Sequence, residues 1–335
     1  MTDIASTKPS PSRLVLLFEG GSAQFGLLAI VVALWIVFSF LAPGFLSRFN
    51  LNSLGRSLAI DIVVGFSQMA ALATGGINLS VGAIGVCALM ATGWLLQVAG
   101  LPIPVAVFGG LALGALQGWI NGFAIARSGV NSFIVTLATS SLFAGGMLIV
   151  TRAAPFNALP SALSAFGTGN IGGAPNLLFV AAGIGVALFV LFGFSLAGRQ
   201  ILATGANPRA AAMSGVPVNR VIMLAHALSG LLAAAAGVML LAKLGAALPS
   251  VAGDEWLLPS FLGPVLGGSL LSGGFVSVIG TMIGATLVTT IRSGLLVLQV
   301  GNFWLQLFLG IVLLFAVMIE RYRSVVAARR AVARQ

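Results

Sequence analysis

Phe25-Gly26-Leu27-Leu28-Ala29-Ile30-Val31-Val32-Ala33-Leu34-Trp35-Ile36-Val37-Phe38-Ser39-Phe40-Leu41 is an apolar run without one charge, closed by Pro43-Gly44. A helix that crosses a bilayer needs about 20 mainly apolar residues. Barrel strands would alternate polar with apolar residues, and this run does not alternate. The segment before it, residues 1–24, carries Ser, Thr and Pro and lacks the short apolar core and cleavage site of a signal peptide. The run therefore reads as a retained membrane anchor.

The rest of the chain repeats this pattern. Of 335 residues, 16 are Lys or Arg and 6 are Asp or Glu, so 7% are charged and 59% are hydrophobic. A soluble protein carries roughly 25% charged residues, and a soluble fold cannot cover this much apolar surface. The composition excludes a soluble enzyme, a nucleic-acid binder and a disordered chain. It supplies roughly ten membrane helices at about 20 residues each. After the first, spans are predicted at about 54–74, 81–98, 105–126, 133–150, 177–196, 220–241, 257–266, 276–291 and 303–319. The breaks are Gly75-Gly76, Gly100 with Pro102 and Pro104, Arg127, Arg152, a Pro- and Gly-containing stretch over 153–176, a polar loop over 197–219, a loop over 243–256 and Gly267-Gly268. Three parts follow: a cytoplasmic segment 1–24, one transmembrane domain 25–319 that contains loop 197–219, and a basic cytoplasmic tail 320–335.

The net charge of +10 fits this scheme. With both termini inside, the inner segments carry eleven cations: Lys8, Arg13, Arg127, Arg199, Arg209, Arg220, Arg321, Arg323, Arg329, Arg330 and Arg334. The outer segments and nearby span ends carry five: Arg48, Arg56, Arg152, Lys243 and Arg292. The excess of Lys and Arg on one side marks the cytoplasm.

No chemistry of bond cleavage is legible. A phosphate-binding loop needs Gly-x-x-x-x-Gly-Lys-Ser/Thr, and the only lysines, Lys8 and Lys243, lie in no such context. One cysteine, Cys87, and one histidine, His226, exclude an internal disulfide, a cysteine-based zinc cluster and a multi-histidine metal site. The chain is expected to hydrolyse no ATP itself, to bind no cofactor and to catalyse no reaction.

Two patterns point to function. The first is an internal echo. Gly75-Gly76-Ile77-Asn78-Leu79-Ser80-Val81-Gly82 resembles Gly267-Gly268-Ser269-Leu270-Leu271-Ser272-Gly273-Gly274, and each follows one apolar segment and precedes another. Paired, glycine-interrupted segments border the substrate path in many transporters. Close helix packing by small residues, with the polar groups capping helix ends, is the competing explanation. Amide and hydroxyl groups can bond a neutral polar solute without the desolvation cost of a charge. The expectation is that Gly75, Gly76, Asn78, Ser80, Gly267, Gly268, Ser269 and Ser272 line or gate a translocation route, with Asn78 and Ser80 nearest it. The second pattern is loop 205–219. Asn207 suits an N-cap and Pro208 the first helical position. Ala210, Ala211 and Ala212 favour helix, Gly215 suits a left-handed C-terminal position, and Pro217 blocks continuation. A two-turn helix over 208–214 is marginal by itself, so the membrane domain or a partner must hold it.

These pieces, with Gly205 to Val218, Val265 to Gly274, Ile279-Gly280-Thr281 and the basic tail, occur in one order. The order resembles the permease subunit of bacterial ABC importers of the ribose/xylose/galactose type, with features of the autoinducer-2-like branch. The resemblance covers about 50–320. It implies an all-α, ten-helix permease of the ribose/vitamin-B12-like type in the bacterial inner membrane, paired with a second copy or a related permease. It implies cytoplasmic ATPase subunits that bind ATP and Mg, and a periplasmic sugar-binding protein. It also implies that Gly205, Asn207, Pro208, Arg209, Ala211, Ser214 and Gly215 belong to the coupling helix that docks in the ATPase. The route would carry a monosaccharide or related small polyhydroxy solute. Two departures from the usual pattern stand out: Asn78 stands where an acid is common, and Leu257-Leu258-Pro259-Ser260 stands where Glu-Leu-Asp-Ala is common, which is closer to the autoinducer-2-like branch.

Single residues complete the reading. Asp61, about two turns into the second span, has Arg292 or Arg56 as candidate partners, while a carboxylate reaching water is the preferred explanation. His226 reads as a hydrogen-bonded packing residue and Cys87 as a small filler. Trp256 follows Asp254 and Glu255 in an outer loop where a binding protein could dock. A self-contained secondary transporter or channel is the alternative function, and Asp61 is its only candidate for an ion site.

Overall fold

The computed structural model describes residues 13–249 and 255–299, together with residues 304, 306–308, 310, 311, 314 and 318. Among the described residues, twelve helices and one two-stranded hairpin make up the elements. They are α1 (Arg13–Leu41), α2 (Arg48–Leu72), α3 (Val81–Gln97), α4 (Ile103–Ser128), α5 (Ser132–Thr151), α6 (Ser161–Thr168), β1 (Asn170–Ile171), β2 (Ala174–Pro175), α7 (Asn176–Phe194), α8 (Leu196–Ala206), α9 (Pro208–Met213), α10 (Val218–Leu244), α11 (Leu257–Leu266) and α12 (Val278–Val297). The predicted tenth span and the basic tail lie outside the described residues, except for scattered helical positions from 304 to 318.

Among the described residues, six helices are long and apolar enough to cross a membrane: α1 over Gln24–Leu41, α4, α5, α7, α10 and α12. Helices α3 and α11 are apolar but shorter. Helix α2 is long, carries Arg48, Arg56 and Asp61, and is buried almost without interruption from Ala59 to Leu72. Its neighbours are α7, α10, α11 and α12. Polar residues at membrane depth are tolerated where protein rather than lipid surrounds them, and α2 occupies such a place. Helix α5 shows the opposite balance. It is strongly apolar, and only Thr136 and Thr139 are buried.

Several boundaries differ from expectation. Helix α1 begins at Arg13, so the polar segment 1–24 is not wholly outside it. Helix α2 starts at Arg48 because Ser47 caps it, its side chain accepting from the Asn50 N–H at 3.2 Å. The stretch 153–176 contains α6 and the β1–β2 hairpin, with Asn170 opposite Pro175. Loop 197–219 is mostly helical, because Ser195 caps α8 by accepting from Gly198 N–H at 2.9 Å.

The tightest seam joins α4 to α10. Gly110, Gly114, Gly118 and Gly122 recur every fourth residue on the buried side of α4. A Cβ on Gly118 would strike the His226 carbonyl, and one on Gly114 would lie 2.8 Å from the Gly230 carbonyl. Small residues at this spacing let helix backbones approach closely.

Helix ends gather on two opposite sides. On one, the end of α2, the end of α8 and the α11–α12 turn meet, Gln24 donates to Ser277 Oγ at 2.8 Å, and Ile77 N–H donates to Ser132 Oγ at 2.9 Å. On the other, Lys243 donates to Ser57 Oγ at 2.8 Å, Arg56 donates to the Thr168 carbonyl that ends α6, and Ala158 N–H donates to Gln97 Oε1 at 2.8 Å. Phe156 and Ala247 exchange backbone hydrogen bonds on that same side, at 2.9 and 2.8 Å.

Candidate functional site

The first glycine break follows α2. Gly75 has φ +76°, a left-handed conformation that glycine adopts without strain. Beyond it, Asn78 turns back on its own segment. Its Oδ1 accepts from Ser80 N–H at 3.0 Å and from Ser80 Oγ at 2.7 Å. Its Nδ2 donates to Ser229 Oγ of α10 at 2.8 Å. Asn121 Nδ2 of α4 donates to Ser80 Oγ at 2.7 Å, and Ser67 Oγ of α2 donates to the Ser229 carbonyl at 2.8 Å. Leu79 N–H donates to Thr136 Oγ1 of α5 at 3.0 Å. Asn78, Ser80, Asn121, Ser229 and Ser67 expose no surface, so in the single chain the break sits inside a ring of helices.

His226 packs in the same region. Its Nδ1 lies 3.1 Å from the Ile222 carbonyl, and its ring fills the space beside Gly76. This is the hydrogen-bonded packing role expected for it. Two buried atoms nearby, Asn121 Oδ1 and His226 Nε2, have no hydrogen-bond partner among the described residues.

The second break is built differently. Gly268 has φ +88°, and Ser269 N–H bonds back to the Pro264 carbonyl at 2.9 Å. Ser269 Oγ accepts from Ser277 N–H at 3.1 Å, Leu270 N–H reaches Phe275 O at 3.1 Å, and Gly273 N–H reaches Leu270 O at 3.1 Å. Gly267 and Ser269 are buried, while Gly268, Leu270 and Ser272 are exposed. The two breaks touch: a Cβ on Gly75 would lie 2.9 Å from the Ser272 carbonyl.

Helix α9 stands off the bundle. Asn207 Oδ1 accepts from Ala210 N–H at 3.1 Å, Pro208 occupies the first turn, and Ser214 Oγ donates to the Ala210 carbonyl at 3.0 Å. Gly215 has φ +81°, and Val216 N–H bonds the Ala211 carbonyl at 3.0 Å, so the helix stops where its sequence expects. Ala211 is buried, Pro208, Arg209, Ala210 and Ala212 are exposed, and Met213 is 90% exposed. Gly205 is buried at the end of α8.

The structure gathers the sequence candidates at one end of the molecule. Asn78 was legible in its motif; Asn121, Ser229 and Ser67 were not, although the glycine spacing of α4 marks the buried face to which Asn121 is adjacent. Trp256 is buried against Gly85 of α3 and offers no docking indole. Asp61 is not a carboxylate reaching water. It is 4% exposed, accepts from Thr289 Oγ1 at 2.8 Å, and its Oδ2 lies 3.5 Å from Arg292 Nη1. The less favoured of the two expectations, pairing with Arg292, is what the structure holds.

A family described as "Branched-chain amino acid transport system / permease component" matches residues 51–317. The chain belongs to this permease family. The match runs from α2 through the predicted tenth span, so it contains both glycine breaks and the α8–α9 loop. Among relatives, the ribose import permease protein RbsC of Bacillus subtilis (strain 168) is 36% identical over 310 residues, 92% of this chain and 95% of that protein. The fructose import permease protein FrcC of Rhizobium meliloti is 33% identical over 345 residues, 98% of this chain and 94% of its own. The autoinducer 2 import system permease protein LsrD of Escherichia coli (strain SMS-3-5 / SECEC) is 33% identical over 289 residues, 83% of this chain and 86% of its own. No solved structure matches the chain. The protein is thus a multi-pass permease of a transport family rather than a catalyst.

Proposed function

We propose that this permease is the membrane-spanning subunit of an ATP-driven importer for a monosaccharide or related small polyhydroxy solute. The observation that carries the proposal is α9. It is a capped, exposed helix of two turns that presents Met213 and Arg209 away from the bundle, in a chain similar to sugar import permeases throughout its length. An exposed helix this short gains little from its own hydrogen bonds, which favours a partner that covers it. The partner in this reading is a cytoplasmic ATPase that binds ATP and Mg, with Gly205, Asn207, Pro208, Arg209, Ala211, Ser214 and Gly215 forming or shaping the docking element.

The fuller arrangement belongs to the same proposal. The chain has ten spans, both termini lie on the cytoplasmic side with α8 and α9, and a second permease copy or relative completes the route. A periplasmic sugar-binding protein delivers the solute on the opposite side. The two glycine breaks border the route. Because Asn78 and Ser80 face inward in the single chain, their part is to fix the shape of the first break. A self-contained secondary transporter draws less support, since the carboxylate of Asp61 is already engaged by Thr289 and Arg292.

A photoreactive residue at position 213 tests the docking. It should cross-link to the ATPase subunit in membranes that contain the whole importer. Cross-links to lipid or to the permease alone would contradict the assignment. Gly215→Val should also weaken substrate-stimulated ATP hydrolysis while insertion stays normal, because a β-branched residue at positive φ is strained.

A further inference from the structure

Three separate stretches of backbone meet at one point: the end of α2, the end of α8 and the α11–α12 turn. Gly274 N–H donates to the Ala73 carbonyl at 3.2 Å, tying the second break to the helix that precedes the first. A Cβ on Gly205 would strike the Ala73 carbonyl and lie 2.5 Å from the Gly274 nitrogen. A Cβ on Gly274 would lie 2.8 Å from both Cα and Cβ of Ala206. A Cβ on Gly273 would lie 2.5 Å from the Gly75 nitrogen and 2.8 Å from its Cα. Real Cβ atoms do not approach backbone this closely, so the three strands of chain touch main chain to main chain. Only two residues, Ala206 and Asn207, separate Gly205 from the first residue of α9.

We propose that Gly205, Gly273 and Gly274 are positioning residues that join the docking helix to both glycine breaks, so that a displacement of α9 moves segments 73–76 and 272–274 with it. The inference rests on the reading of α9 as the ATPase-docking element. Close-packed backbone has no flexible side chain to absorb a displacement, and packed contacts shift between discrete arrangements rather than deform continuously. The contact also explains why α8 ends in Gly205-Ala206: a larger side chain at position 205 would hold the three strands apart. The joint makes α9 and the two breaks one mechanical unit, with the far side, where Lys243 of α10 bonds Ser57 of α2 and Arg56 of α2 bonds the end of α6, as its reference.

The test has two arms, both in the reconstituted importer with Cys87→Ser to remove the buried thiol. In the first, spin labels replace exposed Ala203 of α8, exposed Leu270 of the second break and exposed Ile171 of the far hairpin, with every glycine of the joint intact. Between the nucleotide-free and ATP-bound complexes, the 203–270 distance should stay within the width of its distribution while the 203–171 distance changes. A 203–270 distance that changes as much as 203–171 overturns the joint. Constancy of both distances would bring down the docking reading and the joint with it. In the second arm, Gly274→Ala should leave the ATPase subunit bound yet lower solute taken up per ATP hydrolysed by roughly tenfold, within the range of coupling between linked sites. Gly172→Ala, which also places a side chain at positive φ but whose added Cβ meets nothing within 4 Å, should match the parent. Gly274→Ala with unchanged uptake per ATP, or with uptake and hydrolysis falling only in proportion to the amount of complex, would overturn the proposal.

Discussion

At Gly75-Gly76 and at Gly267-Gly268 the chain interrupts an apolar helix with the same kind of sequence, yet different parts of the molecule hold the two interruptions. Asn78, Ser80, Ser67, Asn121 and Ser229 close the first with side chains drawn from α2, α4, α10 and the break itself, all of them buried. The second closes largely on its own backbone, with Ser269 and Ser277 as its side-chain supports, and leaves Gly268, Leu270 and Ser272 exposed. Backbone that leaves a helix at membrane depth must find partners within the protein or face water. The first break takes the former course in full, and the second keeps part of its surface free. A shared glycine motif therefore marks where helices stop, while the surrounding helices decide whether the stop is a buried anchor or an accessible turn.

The comparison is most exposed at Asn78. Asn78→Leu removes the acceptor of Ser80 N–H and Ser80 Oγ and the donor to Ser229 Oγ. Each buried group left unpaired costs about 1–3 kcal/mol, so a loss of about 3 kcal/mol or more is expected in denaturant titrations in detergent, and uptake should fall together with the amount of intact complex. Uptake lost from a fully stable complex would instead place Asn78 on the route. Asn121→Ala is expected to cost less, about 1–2 kcal/mol, because it deletes one buried bond to Ser80. Equal effects of the two substitutions would mean that Asn78 is not the centre of the network.

In the second break the effects should be smaller. Ser269→Ala withdraws the acceptor of the buried Ser277 N–H, and a cost of about 1 kcal/mol is expected in the same titration. Ser272→Ala touches an exposed side chain and should leave stability within about 0.5 kcal/mol of the parent. A Ser272 effect as large as that of Asn78 would erase the distinction between anchor and turn.

Much of this was legible from residues. The apolar runs named α1, α4, α5, α7 and α10 to within a few residues once the polar N-terminal turns are set aside, because lipid-facing helices must be apolar along their whole length. Caps at Asn207 and Gly215 fixed α9, since capping is local chemistry. What stayed hidden depends on neighbours. The first turns of α2 carry Asn50, Asn52 and Ser53, and α8 carries Gly198, Arg199 and Gln200, so both read as loop. The apolar run 54–74 marks the inner part of α2, but not that protein encloses every residue from Ala59 to Leu72. The candidate site shows the same limit. Asn78 and Ser80 stand in a recognisable motif, but Ser67, Asn121 and Ser229 become its partners only when three helices close around it. The joint at Gly205, Gly273 and Gly274 joins stretches of chain far apart in sequence, and no local pattern announces it.

The measurement that bears most directly on the central claim is solute uptake in proteoliposomes that contain this permease, with or without the cytoplasmic ATPase and the solute-binding protein, across a panel of pentoses, hexoses and polyols. The account predicts uptake of at least one of these only when ATP, the ATPase and the binding protein are all present. Uptake that proceeds with the permease alone, driven by an ion gradient or by the solute gradient, would contradict it.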